Sequence, residues 1–277
     1  MSAICALVQR DAAHLMTDSL MYIDGEVTET RFRKCLPLKG MRAAIAATGP
    51  SMFGYLLAEM IERNCATFDD VVKKDREWWR GAFDWFVENV RGGKSEYATV
   101  VLIGWLERES RPACFSIELS NGGSEAERIA RNSTHIDPAS IAHDLMELPI
   151  LANPSPSLEE LQSAGWPIGV DRDKRDAETD LLHMLEIQRR KQMDDGKFYV
   201  GGQAILTTVT RGGVEQRVVH TWPEDKVGRP IRPRPIDWVA WRAERSGVKL
   251  SGLSRLQRER MLKKARKGTL RALAHAS

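Results

Sequence analysis

Ser2, Asp18 and Lys34 follow one another at intervals of sixteen residues at the head of the chain. Removal of Met1 would leave Ser2 with a hydroxyl and a free α-amine, so that one residue carries both a nucleophile and a base for it. An α-amine has a reference pKa of about 7.7–8, so a sizeable fraction is unprotonated at neutral pH and can take the hydroxyl proton. A lysine ammonium beside it disfavours a second positive charge and holds the amine toward its neutral form. An aspartate would keep that ammonium charged and in place. The chemistry such a set performs is attack on a carbonyl carbon. Each residue alone has a plainer use: Ser is common at position two, Asp18 suits a turn, and Lys34 suits a solvated strand.

These side chains must be positioned by the elements around them. Ala3 to Val8 is mostly apolar with weak alternation, the pattern of a strand buried on both faces, and Ala13 to Thr17 returns beside it after the polar turn Gln9-Arg10-Asp11. Asp24-Gly25 marks a hairpin within Tyr22 to Glu26, and a further strand pair, Lys34 to Leu38 and Arg42 to Ala47, turns at Lys39-Gly40. Gly49-Pro50 breaks that sheet, and Ser51 is the expected N-cap of a helix reaching Arg63. Thr67 caps a second helix, expected to run to Val90 and to end at Gly92-Gly93. Strands follow at Tyr97 to Leu106 and Ala113 to Leu119, and Asn121-Gly122-Gly123 closes that hairpin. Helices are expected over Ala139 to Leu151 and Ala177 to Met193, with a loop at Asn153-Pro154-Ser155-Pro156 between them. A last hairpin, Gly202 to Thr210 and Val214 to Thr221, turns at Gly212-Gly213. Hairpins without crossover helices argue for antiparallel sheets and against a doubly wound parallel one.

In this order and spacing the residues resemble those of N-terminal nucleophile hydrolases, in particular proteasome β subunits and bacterial proteasome-like peptidases, where an N-terminal Thr or Ser, an Asp and a Lys stand at these intervals. Thr17-Asp18-Ser19 after the second strand, the Ala-rich run Ala43 to Gly49 and the pair Gly201-Gly202 add to the likeness. It covers about residues 2–222. It differs at Lys197, where the family carries Asp, and at Gly49, which stands one place later than the family interval and precedes Pro50. The resemblance implies an α+β fold, a four-layer αββα sandwich of two antiparallel sheets. It implies a peptidase acting on peptide or protein substrates, with Ser2, Asp18 and Lys34 catalytic. The backbone N–H of Gly49 would be the oxyanion donor. It further implies a homo-oligomer and no metal or organic cofactor.

Composition narrows the alternatives. With 42% hydrophobic and 29% charged residues the chain reads as a soluble globular protein. No window approaches eighteen uncharged apolar residues, and the head of the chain shows no basic-then-apolar leader, so no membrane partner and a cytoplasmic setting are expected. Cys5, Cys35, Cys65 and Cys114 are scattered singly, as reduced buried thiols would be. The six histidines lack zinc-ligand spacing. Gly122-Gly123 and Gly212-Gly213 sit in hairpin turns, where a phosphate loop does not form.

The charge is unevenly distributed. Residues 229–277 carry a net +11 and residues 1–228 a net −8. The expected partition is therefore a body over 1–228 and a Pro/Arg-rich linker with a basic helical tail over 229–277. Alternate prolines from Arg229 to Pro235 enforce an extended start, Asp237 to Trp241 reads as a helical turn, and Ser254 to Leu273 as a basic helix. Trp238 and Trp241 are the candidate anchors for a protein partner. Nucleic acid binding is a third reading of the tail. The rival to a peptidase keeps the fold, retains Met1, and serves as an inactive assembly or adaptor component that grips its partner through the tail.

Overall fold

The computed structural model describes residues 3–23, 25–50, 52–93, 96–120, 145–163, 166, 169–245, 257 and 260. The chain divides into two compact units, Met1–Pro233 and Arg234–Ser277. That division falls five residues beyond the boundary expected from charge, because the stretch after Gly228 is still tied into the body. Gly228 donates to the Val27 carbonyl at 2.8 Å, and Ile231 packs with Leu20 and Val27.

The first unit is a mixed α+β structure built on antiparallel sheets. One five-stranded sheet has the order β10-β1-β2-β11-β12, with β1 Ile4–Val8, β2 Ala12–Thr17, β10 Ile150–Asn153, β11 Gln203–Thr210 and β12 Gly213–Thr221. The other has the order β5-β6-β7-β8-β9, with β5 Cys35–Pro37, β6 Ala43–Ala47, β7 Tyr97–Leu106, β8 Arg111–Ser120 and β9 Met146–Glu147. β3 Met21–Ile23 and β4 Glu26–Glu29 form a small hairpin between them in sequence. The helices are α1 Phe53–Asn64, α2 Phe68–Val72, α3 Arg76–Arg91, α4 Leu158–Ser163 and α5 Ala177–Arg189.

Strand periodicity sorts the core. On β6 and β7, Ala44, Ala46, Val101 and Ile103 pack in one cluster with Ile4, Ala6, Ala13 and Leu15 of the other sheet. Their neighbours Ala43, Ile45, Val100 and Leu102 face the opposite way, into a cluster with Phe53, Leu57 and Ile61 of α1, Phe68 of α2 and Trp79, Phe83 and Phe86 of α3. A strand buried on both faces has no polar alternation to show, which is why β1 and β6 read as near-continuous apolar runs. α5 lies against β1 and β2, where Gln188 Oε1 accepts from Cys5 Sγ at 3.0 Å.

Three expectations are corrected. The helix expected over Ala139 to Leu151 is absent from its described part: residues 146–147 and 150–153 are strands, and residues 139–144 lie outside the described residues. Pairing of β10 with β1, in the register Ile4↔Asn153 to Leu7↔Ile150, overrides the local helical pattern. The single helix from Thr67 to Val90 is two helices. Thr67 is the expected cap and makes a capping box with Asp70, but Asp75 caps a new start by accepting from Trp78 N. The helix from Ala177 stops at Arg189, short of Met193. Gly92 at φ 65° terminates α3 as expected. Ser51, the Asn121-Gly122-Gly123 turn and nearly all of the tail helix lie outside the described residues.

In the second unit, α6 Trp238–Arg245 begins where Asp237 accepts from Ala240 N at 3.0 Å. Trp238 and Trp241 stand edge to face at 5.6 Å, and the Arg245 guanidinium lies over the Trp241 ring at 4.9 Å.

Candidate active site

β2 ends at Thr17 and β5 begins at Cys35, so Asp18 and Lys34 sit just off the ends of two strands that belong to different sheets. The structure brings them together. Lys34 Nζ lies 2.8 Å from Asp18 Oδ1 and 2.9 Å from Oδ2, with Asp18 fully buried and Lys34 nearly so. A buried carboxylate requires donors on every side. Asp18 also accepts from Ala3 N at 3.0 Å, Gly201 N at 3.2 Å and Leu20 N at 3.3 Å. Burial pulls the Lys34 ammonium below its usual range, and the Asp18 carboxylate opposes that pull. The neighbouring Cys5 thiol is pushed up by burial first and by the Asp18 charge second, so it stays protonated.

The residue after Asp18 fastens the site in place. Ser19 N donates to Gly201 O at 3.1 Å, Ser19 Oγ donates to Thr30 O at 2.6 Å, and Ser19 Oγ accepts from Gln203 N at 2.8 Å. Gly202 has φ 76°, and a Cβ there would come within 2.6 Å of Thr30 O and 2.8 Å of Ser19 Oγ. Glycine is thus required at this position by both conformation and space. The sequence features Thr17-Asp18-Ser19 and Gly201-Gly202, far apart in the chain, are two sides of one contact.

Gly49 adopts φ 94°, and a Cβ on it would overlap the Tyr97 carbonyl oxygen. Gly49 and Lys34 line the same pocket, of about 280 Å³, whose remaining wall is largely apolar and includes Leu20, Met21, Phe32 and Tyr55. The Tyr55 hydroxyl is fixed by donating to Arg33 O at 2.8 Å. Among the described residues, nothing accepts from the Gly49 N–H. A larger depression, about 530 Å³, is lined by Arg10, Arg111, Glu147 and Asp173 among others and contains neither Lys34 nor Gly49. Its Arg111 is committed to Glu147 and Glu109.

Ser2 lies outside the described residues; Ala3, the next residue, is the one whose N–H meets Asp18. Lys197 donates its N–H to Asp195 Oδ1 at 3.0 Å, and its aliphatic stem runs beside Gly25. Trp238 and Trp241 belong to the second unit. Among the described residues, no group of three or more His, Cys, Asp or Glu side chains could hold a metal ion, and no helix is long and apolar enough to cross a membrane. Sequence reasoning did not single out the Gly201 N–H as a donor to Asp18, although the Gly pair itself was visible. In comparisons with known proteins, the chain matches no family model and no curated protein.

Proposed function

We propose that the body is an N-terminal nucleophile amide hydrolase of the proteasome-like type, its two sheets stacked face to face between helices as a four-layer αββα sandwich. The observation that carries this reading is the buried Asp18–Lys34 pair, with Asp18 hydrogen-bonded to the backbone of Ala3 and Lys34 lining the same pocket as Gly49. Ser2, exposed by loss of Met1, is the nucleophile. Its α-amine takes the hydroxyl proton as Oγ bonds to the substrate carbonyl carbon, and the resulting oxyanion is met by the Gly49 N–H. Collapse breaks the C–N bond, and the proton held by the amine passes to the departing amine. Water, deprotonated by the same α-amine, then cleaves the ester and restores Ser2. Lys34 keeps the amine toward its neutral form, and Asp18 keeps Lys34 in place. The pocket selects substrates with an apolar side chain next to the cleaved bond. Self-association of the body, and attachment of a protein partner through the basic tail with Trp238 and Trp241, belong to the same proposal.

The test is intact-mass analysis of the purified chain together with hydrolysis of peptide amides bearing an apolar residue before the leaving group. A chain beginning at Ser2 is expected to cleave them, and Ser2→Ala to abolish cleavage with the fold retained. Hydrolysis by a chain still carrying Met1 would overturn the mechanism. A chain beginning at Ser2 that cleaves none of them would favour the assembly or adaptor component instead.

A further inference from the structure

Arg189, the last residue of α5, is fully buried, an unusual position for a guanidinium. Its two terminal nitrogens are fully used. Nη1 donates to Val200 O at 2.7 Å and to Asp225 Oδ2 at 2.8 Å, while Nη2 donates to Asp225 Oδ1 at 2.9 Å and to Glu224 Oε1 at 3.1 Å. The guanidinium lies over the Trp222 ring at 4.6 Å. Asp225, itself buried, accepts in addition from Gly202 N at 2.7 Å. The pair therefore grips the chain on both sides of Gly201, at the Val200 carbonyl and at the Gly202 amide. Between these two grips, the Gly201 N–H points at Asp18 Oδ2 at 3.2 Å. Gly201 has no room to shift: a Cβ on it would overlap Arg189 Nη1 and Asp225 Oδ2 and come within 2.7 Å of Leu20 Cδ1.

We propose that Arg189 and Asp225 are positioning residues for the Asp18–Lys34 pair, acting through the backbone of Val200, Gly201 and Gly202. A bidentate guanidinium–carboxylate pair fixes an orientation that a single ammonium cannot. It places one backbone donor on the carboxylate that holds Lys34, and it closes the far side of that carboxylate to water. Loss of the fork would release the Gly201 amide and admit solvent beside Asp18 and Lys34. The functional weight of this inference rests on the assignment of Asp18 and Lys34 to an active site; its structural content does not.

The test reads Lys34 directly. In the full chain carrying lysine labelled with 13C at Cε, the Lys34 resonance is assigned by its loss in Lys34→Met, and its titration midpoint is followed with pH. Arg189→Lys is expected to raise that midpoint toward the ordinary lysine value by about half a unit or more, because desolvation is what lowers it. Gly201→Ala, which leaves both charged residues intact, is expected to do the same. Arg175→Lys is the comparator. It weakens another ion pair of α5, to Asp180 at 3.3 Å, and is expected to lower the Tm without moving Lys34. Should Arg189→Lys not fold, Glu224→Ala removes one contact from the same guanidinium and is expected to give a smaller shift in the same direction. An unmoved Lys34 midpoint in every folded variant, with only the Tm lowered, would overturn the proposal. Turnover plays no part in this readout. A fixed midpoint refutes the positioning role even if Ser2 cleaves peptides, and a shifted midpoint upholds it even if no peptide is cleaved.

Discussion

The backbone N–H of Ala3 donates to the Asp18 carboxylate at 3.0 Å, which anchors the first strand to the ion pair by a single bond. Four donors make five contacts with that carboxylate, and they fall into two kinds: the Lys34 ammonium, which reaches both oxygens, and the three backbone amides of Ala3, Leu20 and Gly201. The two kinds respond differently to mutation.

Asp18→Asn is expected to destabilise the protein by about 3–5 kcal/mol, because it leaves the Lys34 ammonium buried without its counter-charge. Lys34→Met leaves a carboxylate still bonded by three backbone amides and is expected to cost less, about 1–3 kcal/mol. Urea unfolding of both variants checks the order, and a reversed order would contradict it. The same pair has a pH signature. The Lys34 pKa in the fold lies below its ordinary value of 10.5, so between the two the unfolded chain binds the extra proton. The Lys34 contribution to stability therefore rises with pH through that window, and Lys34→Met should remove the rise.

His14 gives a second pH-dependent limb on the acid side. Burial first, and Arg217 second, push its pKa down to about 4 from 6.5, and its Nδ1 lies 3.0 Å from Thr208 Oγ1. Between those values the unfolded chain is protonated and the fold is not, so stability is complete above about pH 6.5 and falls as the pH drops toward 4. Allowing for partial exposure, the loss should be about 2 kcal/mol. His14→Gln, which can still bond to Thr208, should flatten this limb in denaturant titrations at pH 4–7; an unchanged limb would assign it to other groups.

Two glycines with positive φ should part company on substitution. Gly40, at φ 73°, has open space around it, so Gly40→Ala carries only the backbone strain, about 1 kcal/mol. Gly49→Ala adds an overlap with the Tyr97 carbonyl and should cost clearly more, with any hydrolysis lost as the amide moves. Thermal unfolding of the two side by side is the check, and equal losses would mean that the strand end yields to the added methyl.

All four cysteines are free thiols and buried. Burial pushes Cys35 and Cys114 up to about 12, so neither has an appreciable thiolate fraction at neutral pH. A thiol reagent added to the native protein should therefore react slowly, with rapid release only in denaturant. Prompt reaction of any cysteine would reveal local opening at that site.

Elements set by local pattern were legible in the sequence: the hairpin of β11 and β12, the cap at Thr67, and the glycine that ends α3. Elements set by a distant partner were not. Residues 146–147 and 150–153 take the strand state because β8 and β1 supply partners for them, and nothing within that window announces either pairing. The break after Val72 was hidden because the apolar pattern continues across it, and only the second cap at Asp75 marks the restart. Among the proposed site residues, Asp18 and Lys34 stood out through spacing, and the structure pairs them. Arg189 and Asp225, separated by 36 positions, look like ordinary surface charges in the sequence, since a helix end and a loop are where such residues are commonest.

The distance along the chain between Asp18 and Gly201 has a consequence for biosynthesis. The two are separated by 183 positions, yet the Gly201 amide is one of the donors on which the buried carboxylate depends. On the ribosome, Asp18 and Lys34 emerge early, while β11, the strand that follows Gly201 and lies beside β2, is the fourth of the first sheet's five strands to appear. Until it arrives, the second strand is an open edge and the carboxylate is incompletely covered. A nascent chain thus carries the Asp18–Lys34 pair long before it can shield those charges, and assembly of the site waits for β11.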